Sequence, residues 1–229
     1  MRDVWSHLDD VARAIPAHHW MLIGGLMVHA HAQQRGIRHV RPTDDADLVI
    51  ELAATSYPAA ASAIEAMGFK LHTPIDRAAP VHRFTKDGAH VDLMAAEGTS
   101  VRYAGRDVVI APGSRSALRR TILWHTPSGT PVRIPDLSSA LSLKGAAYGV
   151  PGANRVRHLQ DAVTLFACAD DDLELSKSMR THVNALVRAL EHVDAWGLTD
   201  PTTRRLAVRA VKSVRPDWEV PPFVRQRRA

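Results

Sequence analysis

The sequence predicts an α+β protein, and two observations predict it. Up to Pro135, short apolar runs are separated by turn residues, the pattern of strands; beyond it, apolar residues recur at helical spacing. A third observation ties the fold to chemistry. The hexapeptide Thr43-Asp44-Asp45-Ala46-Asp47-Leu48 runs directly into Val49-Ile50, so acidic side chains stand at the start of a buried strand.

Val4, Leu8, Val11, Ala12 and Ile15 mark a first helix, capped by Asp3 and ended by Pro16. Met21-Leu22-Ile23 reads as a buried strand. Gly24-Gly25 lets the backbone turn tightly and approach a ligand closely. Leu26 to Arg35 is a helix whose N-terminus presents backbone N–H groups, which suits phosphate. In a strand, residues two apart share a face, so Asp45 and Asp47 project together, with Ala46 and Leu48 opposite. Two carboxylates that close repel one another, and a divalent cation removes the conflict. Magnesium suits such a site, because it takes a few carboxylates together with waters and substrate phosphates. The plainer alternative is a solvated turn before a buried strand.

Ser56-Tyr57-Pro58 opens a second Ala-rich helix that Gly68 closes. Short strands follow at 69–71 and 81–84, and Lys86-Asp87-Gly88 signals a hairpin. In the next strand, 89–94, Val91 and Leu93 face the core, so Asp92 shares the other face with His90 and Met94. An acid in so apolar a strand needs solvent, a partner or a metal. A hairpin over Thr99–Tyr103 and Arg106–Ile110, a basic segment with Arg115, Arg119 and Arg120, and strands at 121–124 and 131–134 complete the sheet region, 1–135.

Asp136 caps a helix over 137–148 that carries Lys144 among apolar neighbours. The bland reading of Lys144 is a snorkelling side chain; the functional one is a cation that stabilises charge on phosphoryl oxygens. Helices are expected at 155–169, at 173–196 and from Thr199-Asp200-Pro201 onward, after an acidic break at 169–172. The helical part spans 136–215, and a basic tail, 216–229, ends in Arg225-Gln226-Arg227-Arg228. From Arg204 onward there are eight basic and two acidic residues.

These residues together resemble the polymerase-β-like nucleotidyltransferase superfamily. Within it, Arg41-x-Thr43-x-Asp45-x-Asp47-Leu48 is similar to the signature of the AbiEii/AbiGii toxin branch, which includes the MenT toxins. The resemblance spans roughly residues 20 to 165 and is patchy between motifs. It implies a mixed sheet flanked by helices, followed by a helical C-terminal domain. It implies metal ligation by Asp45, Asp47 and Asp92, with Mg²⁺ as the ion and Mn²⁺ as the other candidate. It also implies nucleotide binding by Gly24, Gly25, Arg41, Thr43 and Lys144, and transfer of a nucleoside monophosphate from an NTP to RNA. The tRNA 3′ end is the leading acceptor, and a cognate antitoxin protein is an implied partner. Leu-x-Leu-Lys144-x-x-Ala resembles the family's lysine motif. Arg157-His158-Leu159-Gln160-Asp161 matches its Lys-Asp-x-x-Asp motif with two departures, Arg157 for the lysine and His158 for the first aspartate. Asp161 is retained; anchoring Lys144, anchoring Arg157 and contacting substrate all remain open to it.

Composition narrows the alternatives. The chain has 229 residues, enough for one or two domains with a real core. A formal charge of +5 and a pI near 9.8 favour a polyanionic partner. An enzyme that adenylylates a polycationic aminoglycoside would want an acidic helical part, and this one is basic. A catalytically silent nucleotide- or RNA-binding module would not need all of Asp45, Asp47, Asp92 and Lys144. The single cysteine, Cys168, excludes an internal disulfide and fits the cytoplasm. No apolar signal segment and no 18-residue apolar run is found, so no membrane association is expected. His18, His19, His29 and His31 lack zinc-ligand spacing.

Overall fold

Six strands form one mixed sheet, and two further strand pairs stand apart from it, in the computed structural model, which describes residues 4–38, 41–170, 173–197 and 199–225. The Asp3 cap, Asp171 and Asp172 of the acidic break, and Gln226-Arg227-Arg228 of the tail lie outside the described residues. The chain divides into two compact units, residues 1–27 with 43–135, and residues 28–42 with 136–229.

The first unit contains α1 (Val4–Ala14), β1 (Trp20–Ile23), the start of α2 (Gly24–Gln34), β2 (Asp45–Ile50), α3 (Tyr57–Ala66), β3 (Lys70–Leu71), β4 (Arg83–Lys86), β5 (Ala89–Ala96), β6 (Arg102–Tyr103), β7 (Arg106–Asp107), β8 (Ile110–Ala111), α4 (Ser114–Leu118), β9 (Thr121–His125) and β10 (Pro131–Pro135). The main sheet runs β1-β2-β5-β4-β3, and β8 pairs with β5. β1 lies antiparallel to β2, β2 parallel to β5, and β5 antiparallel to β4. Asp87 and Gly88 take φ of 49° and 84°, the positive values that a tight two-residue hairpin requires.

Alternation sets the two faces of this sheet. Ala46 and Leu48 of β2 and Val91 and Leu93 of β5 are fully buried. Each large apolar side chain so placed contributes roughly 1.5–3 kcal/mol. α1 buries Leu8 and Val11 and packs against β2 and α3. The Tyr57 hydroxyl donates to the Leu93 carbonyl at 2.9 Å, which ties α3 to β5. The hairpin after Thr99 is shorter than its sequence suggests. Buried Val108 leaves it to bridge Val81, and Ile110 then joins β8.

The described elements of the second unit are helices: the rest of α2, α5 (Leu137–Tyr148), α6 (Arg155–Ala167), α7 (Lys177–Ala189), α8 (Pro201–Val214) and α9 (Pro222–Arg225). Side chains cap four of them, Asp136 on Ser139 N, Asn154 on Arg157 N, Ser176 on Met179 N, and Asp200 on Thr202 and Thr203 N. α5 packs against α6 and α7, and α6 against α8. The helix expected over 173–196 is shorter. It begins after the Ser176 cap and ends at Ala189. Beyond it, Trp196 N donates to the Asp194 carboxylate and the chain turns to bury Trp196 completely.

α5 and α7 meet at Gly145, where an added Cβ would lie 2.3 Å from the His182 carbonyl oxygen. Gly145→Ala is therefore expected to destabilise the protein by about 3 kcal/mol, because backbone rather than a movable side chain must give way. Urea denaturation measures this; an unchanged midpoint would contradict the packing described.

Candidate active site

Register brings the three sequence-predicted carboxylates of the first unit to one face. Asp47 of β2 lies beside Asp92 of β5, and Asp45 lies beside His90. Neighbours in register point the same way, so Asp45, Asp47, His90 and Asp92 share the face opposite the core. On the far side of β5, Arg83 of β4 lies opposite Asp92. Its Nε donates to Asp92 Oδ1 at 2.8 Å and its Nη2 to Asp92 Oδ2 at 2.7 Å. The same Nη2 reaches Asp45 Oδ2 at 3.2 Å, and His90 Nδ1 stands 2.9 Å from Asp45 Oδ1. Asp92 is buried, while the side chains of Asp45, Arg83 and His90 are each about 30% exposed, so the cluster opens to solvent at one end. The hydrogen bonds to Asp92 push the Arg83 guanidinium further above its already high value. Burial lowers the pKa of His82, whose Nε2 lies 3.7 Å from Asp92.

Gly24 joins the cluster at the end of β1, where Ile23 pairs with Asp47. Its φ is +69°, and a Cβ there would stand 1.7 Å from Asp47 Oδ2. Only glycine lets the backbone meet that carboxylate so closely. Gly25 follows in the first turn of α2. Thr43 is half-buried ahead of β2.

The donor chemistry suits a hard divalent cation: three carboxylates on adjacent strands, one of them buried. Their positive partner is a guanidinium, seated where Asp45 and Asp92 both reach it. Among the described residues, no three His, Cys, Asp or Glu side chains converge on one point as a single ion requires. The residue types fit a metal, and the present arrangement is the one that Arg83 holds.

The second unit carries a separate buried charge cluster. Asp161, on α6, accepts from Arg41 Nε at 2.7 Å, Arg41 Nη2 at 3.0 Å and Lys144 Nζ at 2.6 Å. All three residues are buried. Asp161 thus anchors Lys144 and Arg41, whereas Arg157 is exposed. Lys144 and Arg41, which the resemblance assigns to the nucleotide, are here engaged by a carboxylate. Burial raises the pKa of Asp161, but the two cations outweigh it and the net direction is down. Half-buried His158 is pushed down to about 4, by burial first and by Lys144 next.

Arg83 is the residue that the sequence reading passed over. A signal for it existed: a two-residue turn at Asp87-Gly88 fixes the β4–β5 register and sets Arg83 against Asp92. Comparison with family models and with curated proteins finds no match to this chain.

The buried cluster contributes to acid stability. Between pH 6.5 and about 4 the unfolded chain protonates His158 while the folded one does not, so stability falls with pH across that window. Asp161 acts below it: its contribution is complete above the unfolded value of 3.8 and disappears as pH drops through the lowered folded value. Urea midpoints from pH 7 to pH 4 should fall less steeply in His158→Gln than in the wild type. Asp161→Ala should cost about 3–5 kcal/mol at pH 7, since it strands two buried cations. Parallel pH curves, or a near-neutral Asp161→Ala, would contradict this electrostatic account.

Proposed function

We propose that this chain is a metal-dependent nucleotidyltransferase that moves a nucleoside monophosphate from an NTP to an RNA acceptor, with the tRNA 3′ end as the leading candidate. The observation that carries the reading is the in-register Asp47–Asp92 pair, with Asp45 on the same face and the Gly24 backbone against Asp47. Asp45, Asp47 and Asp92 would hold Mg²⁺ or Mn²⁺. Bound there, the metal would offset phosphate charge and orient the attacking hydroxyl.

The chain's own residues supply the rest. The tight turn at Gly24 and the first N–H groups of α2 offer donors to phosphate oxygens. Asp92, the most buried of the three acids, would complete the metal site or take the proton of the acceptor hydroxyl. The hydroxyl oxygen attacks the α-phosphoryl group, the new P–O bond forms, and pyrophosphate leaves with the electrons of the broken bond.

An RNA acceptor is supported by the helices of the second unit. Lys177, Arg180 and Arg188 of α7 and Arg205, Arg209 and Lys212 of α8 are exposed, and neither helix contains an acid. The family resemblance extends the proposal to a bacterial toxin held in check by an antitoxin. No described helix is long and apolar enough to cross a membrane.

Incubation with each α-labelled NTP and total RNA, with and without Mg²⁺, tests the reading. Label should enter RNA only with the metal present. Asp45→Ala and Asp47→Asn should stay folded and lose transfer by at least about 10²-fold. Label on a small acceptor would redirect the assignment, and full activity in either variant would refute it.

A further inference from the structure

Arg83 sits on the oxygens that a metal would need. Asp92 gives one carboxylate oxygen to Arg83 Nε and the other to Nη2. Asp45 gives one oxygen to Arg83 Nη2 and the other to His90 Nδ1. Every oxygen of these two carboxylates is thus engaged by a nitrogen donor. A cation that takes them as ligands has to break those contacts. We infer that Arg83 is the resident counter-cation of the carboxylate face: it holds Asp45 and Asp92 in position and is exchanged for the divalent ion on loading.

This inference rests on the metal-dependent reading above and adds a residue to it. The geometry favours exchange over a permanent structural bridge on two counts. Arg83 is one-third exposed, so its guanidinium has solvent to move into, whereas a locked ion pair such as Arg41–Asp161 is buried at both ends. In addition, one guanidinium carries one charge, and a divalent ion offers twice that to the same oxygens together with Asp47. Exchange has a thermodynamic signature. The apparent affinity for the ion is reduced by the fraction of molecules in which Arg83 occupies the carboxylates. Arg83 is then a positioning residue that sets the metal concentration at which the site loads.

Charge-assisted hydrogen bonds are strong enough for their loss to raise metal affinity about tenfold or more. The experiment titrates Mn²⁺ into the full-length protein without nucleotide and follows free Mn²⁺ by its paramagnetic resonance. Wild type, Arg83→Met and Arg83→Lys are compared, with folding checked by circular dichroism. Arg83→Met should bind Mn²⁺ about tenfold or more tightly than wild type, and adding Asp92→Asn should abolish that gain. Without metal its thermal midpoint should lie below that of wild type, and Mn²⁺ should raise it by more. Arg83→Lys keeps the charge but loses the two-pronged geometry; it should gain less, and it carries the comparison if the methionine variant does not fold. Binding in the Arg83 variants equal to or weaker than wild type would overturn the exchange and leave the metal site standing. No Mn²⁺ binding by any of the proteins would overturn both.

Discussion

Like charge on neighbouring strands is the constraint on which this molecule turns. Parallel pairing of β2 with β5 sets Asp47 beside Asp92, and the two-residue alternation adds Asp45 to the same face. Such a cluster is unfavourable unless positive charge meets it. The fold meets it with Arg83, delivered by the antiparallel partner of β5. The opposite face, with Ala46, Leu48, Val91 and Leu93, is ordinary core. The strands therefore do two things at once: one side holds the sheet in place, and the other concentrates acid. A shift of one residue would exchange the faces and bury the acids.

The second unit handles buried charge differently. Its cluster is closed, two cations on one carboxylate, with neutral His158 nearby. There the charges are deep, and both cations share one buried carboxylate. On the sheet, charge is partly open to solvent, and Arg83, the cation that meets it, is one-third exposed. The two clusters thus differ in access: solvent reaches the charges on the sheet, and Lys144 and Asp161 are enclosed.

Much of this was legible in the sequence because it depends on local rules. Alternation put Asp92 on the face of His90, and the same rule joined Asp45 to Asp47. Capping residues marked the starts of α3, α5 and α8. What escaped depended on tertiary packing. The early end of α7 follows from burying Trp196, which helical periodicity does not reveal. The split of the 99–110 segment follows from Val108 pairing with Val81, a contact distant in sequence. The partners of Asp161 could not be chosen, since Arg41 lies 120 residues away. Arg83 was within reach, because the Asp87-Gly88 turn sets its register, but a basic residue in a short strand draws no notice until its neighbour is known.

The central claim is that the three carboxylates form one cation site on the face of the sheet. The most direct measurement is anomalous diffraction from crystals grown with Mn²⁺ and an NTP analogue that cannot be cleaved between the α and β phosphates. The account predicts a manganese peak bounded by Asp45, Asp47 and Asp92, with the Arg83 guanidinium displaced from Asp92. A nucleotide bound without manganese at those side chains, with Arg83 still in place, would contradict it.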